Sequence, residues 1–249
     1  MSWNPEKGLA SRSFDEWRAV ERDIRTYLRL SLGWSERGYE ELWSQAESEL
    51  TAIFDPYVHS GDEHVGFFDD KVEGLWPSDY QWILHASVVK EAVSAFEVYL
   101  EKGMDEALHR VGLDLTRKPN RPSPDWKILV AIHKAFGSDV ETERVKHIRA
   151  LRHMLVHQRG ELRTAEMRDR FAEGPRAYPF THRETGEPVT VEADYVGAQV
   201  QLQPATVEAV LNDLAAVVHE TDRRVWHIAW NADLAELEAI SRSLTSDAS

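Results

Sequence analysis

Apolar residues recur every three or four positions along at least five long segments of this chain, and that spacing confines it to a helical architecture. The longest such segment follows Ser78, "DYQWILHASVVKEAVSAFEVYLEKGMDEALHRVG", with Ile83, Val89, Val93, Phe96 and Leu100 on one side and Gly103 as a point of bending or breakage. Before it, Ser13 with Glu16 has the form of a capping box. A first helix is predicted from about Phe14 to Leu32, carrying Phe14, Trp17, Ile24, Tyr27 and Leu28. Gly33 and Ser35 should break it, and "ERGYEELWSQAESELTAIF" should start a second helix with Tyr39, Leu42, Leu50 and Phe54 inside.

Between these helices and the long one lies "DPYVHSGDEHVGFFDDKVEGLWPSD", rich in glycine, proline and acid, which reads as a long connection and a subdomain boundary. After the turn-forming "TRKPNRPSP", Ser123 and Pro124 make a cap and first-turn pair for "DWKILVAIHKAF", which Gly137 should close. A further helix is expected from about Val140 to His157, stopped by Gly160. "TAEMRDRFAE" reads as a short helix, and "EPVTVEADYVGAQVQL" alternates Val189, Val191 and Tyr195, then Val200 and Leu202, as a small hairpin or ordered loop would. The last helix should run from Ala205 to about Trp230 on Val207, Val210, Leu211, Leu214, Val218, Val225 and Trp226, with a frayed tail beyond. The expected fold is an all-α bundle with one small insertion before its last long helix.

The chain has no cysteine, which removes disulfide frameworks and thiolate zinc sites. No apolar run approaches the roughly 18 residues that a spanning helix needs, so no membrane partner is expected. The start, "MSWNPEKGLASRSF", lacks a basic stretch followed by an apolar core, so the expected location is cytoplasmic. A formal charge of −14 argues against a uniformly basic, nucleic-acid-coating surface. Yet between Arg110 and Arg176 there are 15 Lys or Arg against 9 Asp or Glu, so one local stretch of an acidic chain is basic.

Within that stretch stands "RALRHMLVHQRG", residues 149–160. Val145, Ile148, Leu151 and Leu155 fall on one side of its helix and Val156 near the edge. Arg152 projects between Ile148 and Val156, where its guanidinium must find an acid, an anion or a second subunit. Arg149, His153 and His157 spread over the adjoining polar side, a set of donors suited to phosphate. The plain structural alternative pairs Arg152 with a core carboxylate such as Glu97 and treats His157 as a helix-ending cation favourable to the dipole.

"IRALRHMLVHQRGEL" resembles the R-x-x-x-x-H signature of the HEPN superfamily, helical domains common in prokaryotic toxins and defence systems. His153 stands where that family carries a polar residue after the arginine, Leu155 and Val156 match its apolar pair, and Gly160 its following glycine. The earlier helix "SVVKEAVSAFEVYLEKGM", with Glu97 after Phe96, and the late long helix also match, so the resemblance covers roughly residues 78–232. It implies an HEPN-like core over 76–232 and leaves residues 1–75 unexplained; the helical periodicity there gives an N-terminal extension, a helical pair packed on the core, and 233–249 is expected to hold the end of the last helix with its tail. The implied activity is a metal-independent endoribonuclease acting where two copies of the motif meet in a homodimer. His157 would be the acid or base, Arg152 would stabilise or orient the scissile phosphate and His153 would assist, with Arg149 and Arg159 as phosphate- or RNA-binding residues and Glu97 in a positioning role. An imidazole exchanges protons near neutral pH and an arginine fork stabilises phosphorane charge, which suits attack by a 2′-hydroxyl. Implied partners are RNA, a second copy, and an antitoxin or other regulatory protein, with no cofactor. In family members regulated by nucleotidylation a tyrosine lies two positions after the histidine; Arg159 stands there in this chain, so that regulation is not expected. The alternative is an HEPN-like dimer without catalysis that binds RNA, nucleotide or protein.

His153 and His157 also have the i, i+4 spacing of a zinc pair with Glu161 as a third ligand, but no acid separates them and Arg149, Arg152 and Arg159 oppose a dication, so no metal is expected. "HSGDEH", with His59, Asp62, Glu63 and His64, reads as a solvated loop. The nine tryptophans fall at helical spacing and read as core rather than as base-stacking platforms.

Overall fold

The computed structural model describes residues 10–53, 77–109, 112–115, 123–182 and 198–231, with the isolated positions 55, 57, 58, 60–63, 65, 66, 185, 187 and 188. Among the described residues the fold is all-α apart from one two-stranded hairpin: α1 (Arg12–Ile53), α2 (Pro77–His109), α3 (Trp126–Ala135), α4 (Glu143–His157), α5 (Ala165–Glu173), β1 (Phe180–His182), β2 (Ala198–Val200) and α6 (Pro204–Asn231). Among the described residues no helix is long and apolar enough to cross a membrane.

The long helix α2 forms the axis of the bundle, touching α1, α3, α4 and α6. Its Val89, Val93, Phe96, Leu100 and Met104 are fully buried, each contributing about 1.5–3 kcal/mol by leaving water. Gly103 does not break it: the helix runs without interruption from Pro77 to His109, and a Cβ at Gly103 would meet the Tyr99 ring at an ordinary 3.6 Å. Ile83, expected inside, is 62% exposed on an edge of α2.

One helix, α1, replaces the expected helical pair, running unbroken through Gly33 and Ser35. A glycine in a helix costs only about 1 kcal/mol relative to alanine, and no proline intervenes. The inner stripe continues as Tyr39, Trp43, Ala46 and Leu50, with Ala46 and Leu50 buried. Leu42 stands off that stripe and is exposed, and Phe54 lies outside the described residues. The cap also differs from expectation. Phe14 donates its N–H to Ser11 Oγ (3.0 Å), so Ser11 is the helix cap, and the Ser11 hydroxyl donates to Asp222 of α6. Ser13 instead gives its N–H (2.9 Å) and hydroxyl (2.8 Å) to Glu106, and Glu16 pairs with Lys102 at 3.0 Å. These contacts run α1 antiparallel to α2, with Phe14 edge-on to Tyr99 and His219, and Trp17 edge-on to His219 and tilted against Tyr99.

Asp125, not Ser123, caps α3, accepting from Lys127 N–H at 3.1 Å. Gly137 (φ +76°) closes α3 as expected: Ser138 N–H reaches back to the His133 carbonyl at 2.9 Å, a left-handed turn natural to glycine. The hairpin pairs Phe180 with Val200, Thr181 with Gln199 and His182 with Ala198. Val200 and Leu202 are buried as the pattern suggests, whereas Val189, Val191 and Tyr195 lie outside the described residues. The partner strand over 180–182 carries no readable alternation, being three residues long. Most of the expected connection over 55–79 lies outside the described residues as well.

Candidate functional site

Thr142 caps α4 through its hydroxyl, which accepts from Val145 N–H (3.3 Å), and Val145, Ile148, Leu151, Met154 and Leu155 turn into the core. The C-terminal end of the helix is fixed by tertiary contacts. Arg159 (φ +51°) and Gly160 (φ +77°) turn the chain in the left-handed region, and Gly160 N–H donates to the Met154 carbonyl at 3.3 Å. A Cβ on Gly160 would stand 2.5 Å from the Trp82 ring, so only glycine lets α2 approach here. Trp82 Nε1 donates to the Val200 carbonyl (2.7 Å), Val200 N–H to the Gly160 carbonyl (3.0 Å) and Gln199 Nε2 to the Arg159 carbonyl (2.9 Å). The end of α4 is thereby tied to α2 and β2 at once.

Arg149 anchors the other end of the motif. Its Nε donates to Glu97 Oε1 at 2.8 Å, and its guanidinium carbon lies 3.5 Å from the centroid of Trp126, whose own Nε1 donates to Glu141 at 2.6 Å. Glu97 therefore pairs with Arg149 and not with Arg152, as the plain structural alternative supposed. Arg152 is half-buried, and its Nε is shielded from solvent with no hydrogen-bond partner among the described residues. His153 and His157 are exposed, their rings 4.5 Å apart and tilted by 48°. Arg159 is exposed just beyond the helix.

At about 100° per residue, Arg149 and Val156 lie at the centre of this open face, Arg152 on one flank and His153 with His157 on the other. The face thus brings Arg149, Arg152, His153 and His157 onto one surface but sets Arg152 and His157 on opposite sides of Val156, which is 42% exposed. Alongside runs the edge of α2 that carries Ile83, Lys90 and Glu97 at seven-residue spacing. A cationic face with an exposed valine at its middle can hold a phosphate on either flank and can pack against a second apolar surface. Among the described residues no group of three His, Asp or Glu is placed to hold a metal ion, and His59 and His64 lie outside those residues.

Sequence reasoning did not single out His147. It sits on the inner side of α4, stacked on Tyr178 (5.5 Å) and edge-on to Phe171 (4.9 Å), beside a cavity of about 540 Å³ that Lys146, Ala150, Arg170 and Gly174 also line. Burial, with Arg176 and Arg170 adding to it, holds this imidazole below its usual range. Its i, i+4 relation to Leu151 was the available signal that it faces inward.

No family model matches this chain, and no curated protein or solved structure matches it.

Proposed function

We propose that the open face of α4 is the active surface of a metal-independent endoribonuclease of the HEPN type, completed when two copies meet. The observation that carries this reading is Arg152: a guanidinium held half-buried with its Nε unpartnered among the described residues, on the same surface as two exposed histidines and beside an exposed valine. A buried, unpaired donor on a cation is expensive, so the surface is incomplete until an anion or another subunit meets it. A second copy packed through Val156 about a two-fold axis running along the helix sets the Arg152 flank of one subunit against the histidine flank of the other. One scissile phosphate then touches both residue types, which a single helix keeps apart.

In that cleft His157 takes the proton of a ribose 2′-hydroxyl. The freed oxygen attacks the adjacent phosphorus, and the bond to the 5′-oxygen breaks. Arg152 neutralises the charge that builds on the phosphorane oxygens, and His153 returns a proton to the departing 5′-oxygen. The products are a 2′,3′-cyclic phosphate and a 5′-hydroxyl. Arg149 keeps guanidinium N–H groups beyond the one given to Glu97, and Arg159 extends from the helix end; both fit neighbouring phosphates. Unpaired RNA is the substrate class, since in-line attack needs a nucleotide free to swing its 2′-oxygen opposite the leaving group.

The test is incubation of the wild type, His157→Ala and Arg152→Ala with single-stranded RNA in excess chelator, with product ends and sedimentation measured together. Each substitution should lower the rate on the order of 10²-fold or more at unchanged fold. Cleavage that requires a divalent metal, or that survives both substitutions, rejects the mechanism. Tight RNA binding with no cleavage assigns the face to a binding module instead.

A further inference from the structure

A second surface lies on the opposite side of α2 and is independent of the ribonuclease reading. Along α1, Val20, Tyr27 and Trp34 recur every seven residues with Leu30 between them, and all four are exposed, Tyr27 by 53% and Trp34 by 65%. Solvated helix faces do not carry such a stripe at random. Beside it α1 and α2 leave two adjoining hollows. One, of about 410 Å³, lies between Tyr27, Ile24, Val20 and Val88; the other, of about 230 Å³, lies between Val20, Trp17 and Val98. Val20 and Glu91 line both, so the hollows form one groove reaching from Tyr27 to Ser13, about 21 Å at 1.5 Å per residue. That is the length of about four turns of a bound helix.

The charge around the groove selects its occupant. Asp23 and Glu91 stand on its walls, and Glu16 closes one end, where Lys102 and Arg12 hold its carboxyl below the usual range. Glu91 makes no salt bridge among the described residues, and Asp23 has only Arg22 at 4.0 Å with both side chains mostly in solvent. Two such carboxylates repel RNA phosphates and anionic lipid. They also meet their own kind in a second copy packed groove to groove. We propose that the α1–α2 groove docks a basic amphipathic helix of a partner protein: apolar side chains one turn apart enter the two hollows, and Lys or Arg on the flanks meet Asp23 and Glu91.

The test uses the full chain and a fluorescein-labelled, stapled peptide of about four turns with Leu at i, i+3, i+7 and i+10 and Lys on both flanks. A matched peptide carries Glu in place of every Lys. Fluorescence anisotropy should show saturable binding of the Lys peptide on the order of 10 µM, with the Glu peptide at least about tenfold weaker. Tyr27→Asp should abolish binding, and Asp23→Lys with Glu91→Lys should reverse the preference. These positions are exposed or at the groove's rim, and unchanged circular dichroism and melting of each variant certify the fold. Equal affinity for both peptides, no saturable binding, or an unreversed preference in the double variant overturns the proposal. So does sedimentation in which Tyr27→Asp dissociates a dimer, since a second copy would then occupy the groove.

Discussion

Replacing Gly160 by alanine probes the joint that holds the end of α4. Two separate costs arise there. The backbone sits at φ +77°, where a side chain costs about 1 kcal/mol. The new methyl would also stand 2.5 Å from Trp82 Cζ2 and 3.1 Å from its neighbouring ring carbon. Trp82 cannot yield freely, because its Nε1 is committed to the Val200 carbonyl. Overpacking of this kind costs about 1–3 kcal/mol, so the total is about 2–4 kcal/mol. For a chain of this length each kcal/mol lowers the melting temperature by about 2–4 °C, which gives a fall of roughly 4–16 °C. Gly112 supplies the control: it has φ +75° but nothing within 4 Å of a Cβ, so Gly112→Ala should show the backbone cost alone. Differential scanning calorimetry of both variants, and of Gly160→Ala in a Trp82→Leu background where the clash is relieved, separates the two contributions. The reasoning fails if Gly160→Ala melts no lower than Gly112→Ala, or if Trp82→Leu leaves its cost unchanged.

Gly33→Ala should stabilise the protein by about 0.5–1 kcal/mol, because Gly33 lies within continuous helix and a Cβ there meets nothing; a destabilised variant in urea titration would show a broken helix instead. Acid should weaken the fold between about pH 6.5 and 4. Burial lowers the folded pKa of His133 from 6.5 to about 4, and also lowers those of His85 and His147. The unfolded chain therefore binds more protons in that window, and stability falls as pH falls through it. His133→Leu should flatten the slope of stability against pH measured by urea melts, and an unchanged slope would refute the assignment. Asp222, whose carboxyl is raised chiefly by burial, acts in the opposite sense and only at the acid end. Inorganic phosphate at about 20 times its dissociation constant should stabilise the wild type by about 1.8 kcal/mol through mass action, and Arg152→Ala should lose most of that gain at matched ionic strength.

The helices were legible wherever one buried stripe ran the full length of a segment. Val207, Val210, Leu211, Leu214, Val218, Val225 and Trp226 of α6 are all buried, as their spacing predicts. What failed were local signals that tertiary contacts outweigh. Gly33 and Ser35 have the composition of a break, but the propensity cost of one glycine is small against a helix that buries Trp17, Ile24 and Leu28 on one side of it and Leu50 on the other. Ser13 with Glu16 matches a capping box, yet Lys102 and Glu106 on α2 compete for the same groups, and Ser11 is left to cap. Partner choice is equally hidden from spacing. That Glu97 meets Arg149 rather than Arg152 depends on the height at which α2 and α4 cross and on Trp126 arriving from α3 beneath the guanidinium.

Around α4, the contacts that stabilise the fold largely bypass the central motif side chains. Arg149 is tied at one end to Glu97 through its Nε and to the Trp126 ring, with its other N–H groups left over, and Gly160 is packed at the other against Trp82 and β2, so the frame on either side is built from contacts other than those of Arg152, His153 or His157. A rigid frame around unpaired donors is what preorganisation requires: the side chains meeting a ligand need little reordering when it arrives. Arg152 sharpens the point, since its shielded guanidinium nitrogen has no partner among the described residues, and leaving such a group unpaired costs folding free energy on the order of 1–3 kcal/mol. Folding alone favours an apolar side chain there, as Ile148 and Leu155 are on the same helix. The arginine becomes favourable only when something negative, or a second copy supplying an acceptor, completes its hydrogen bonding, and the open face is where that can occur.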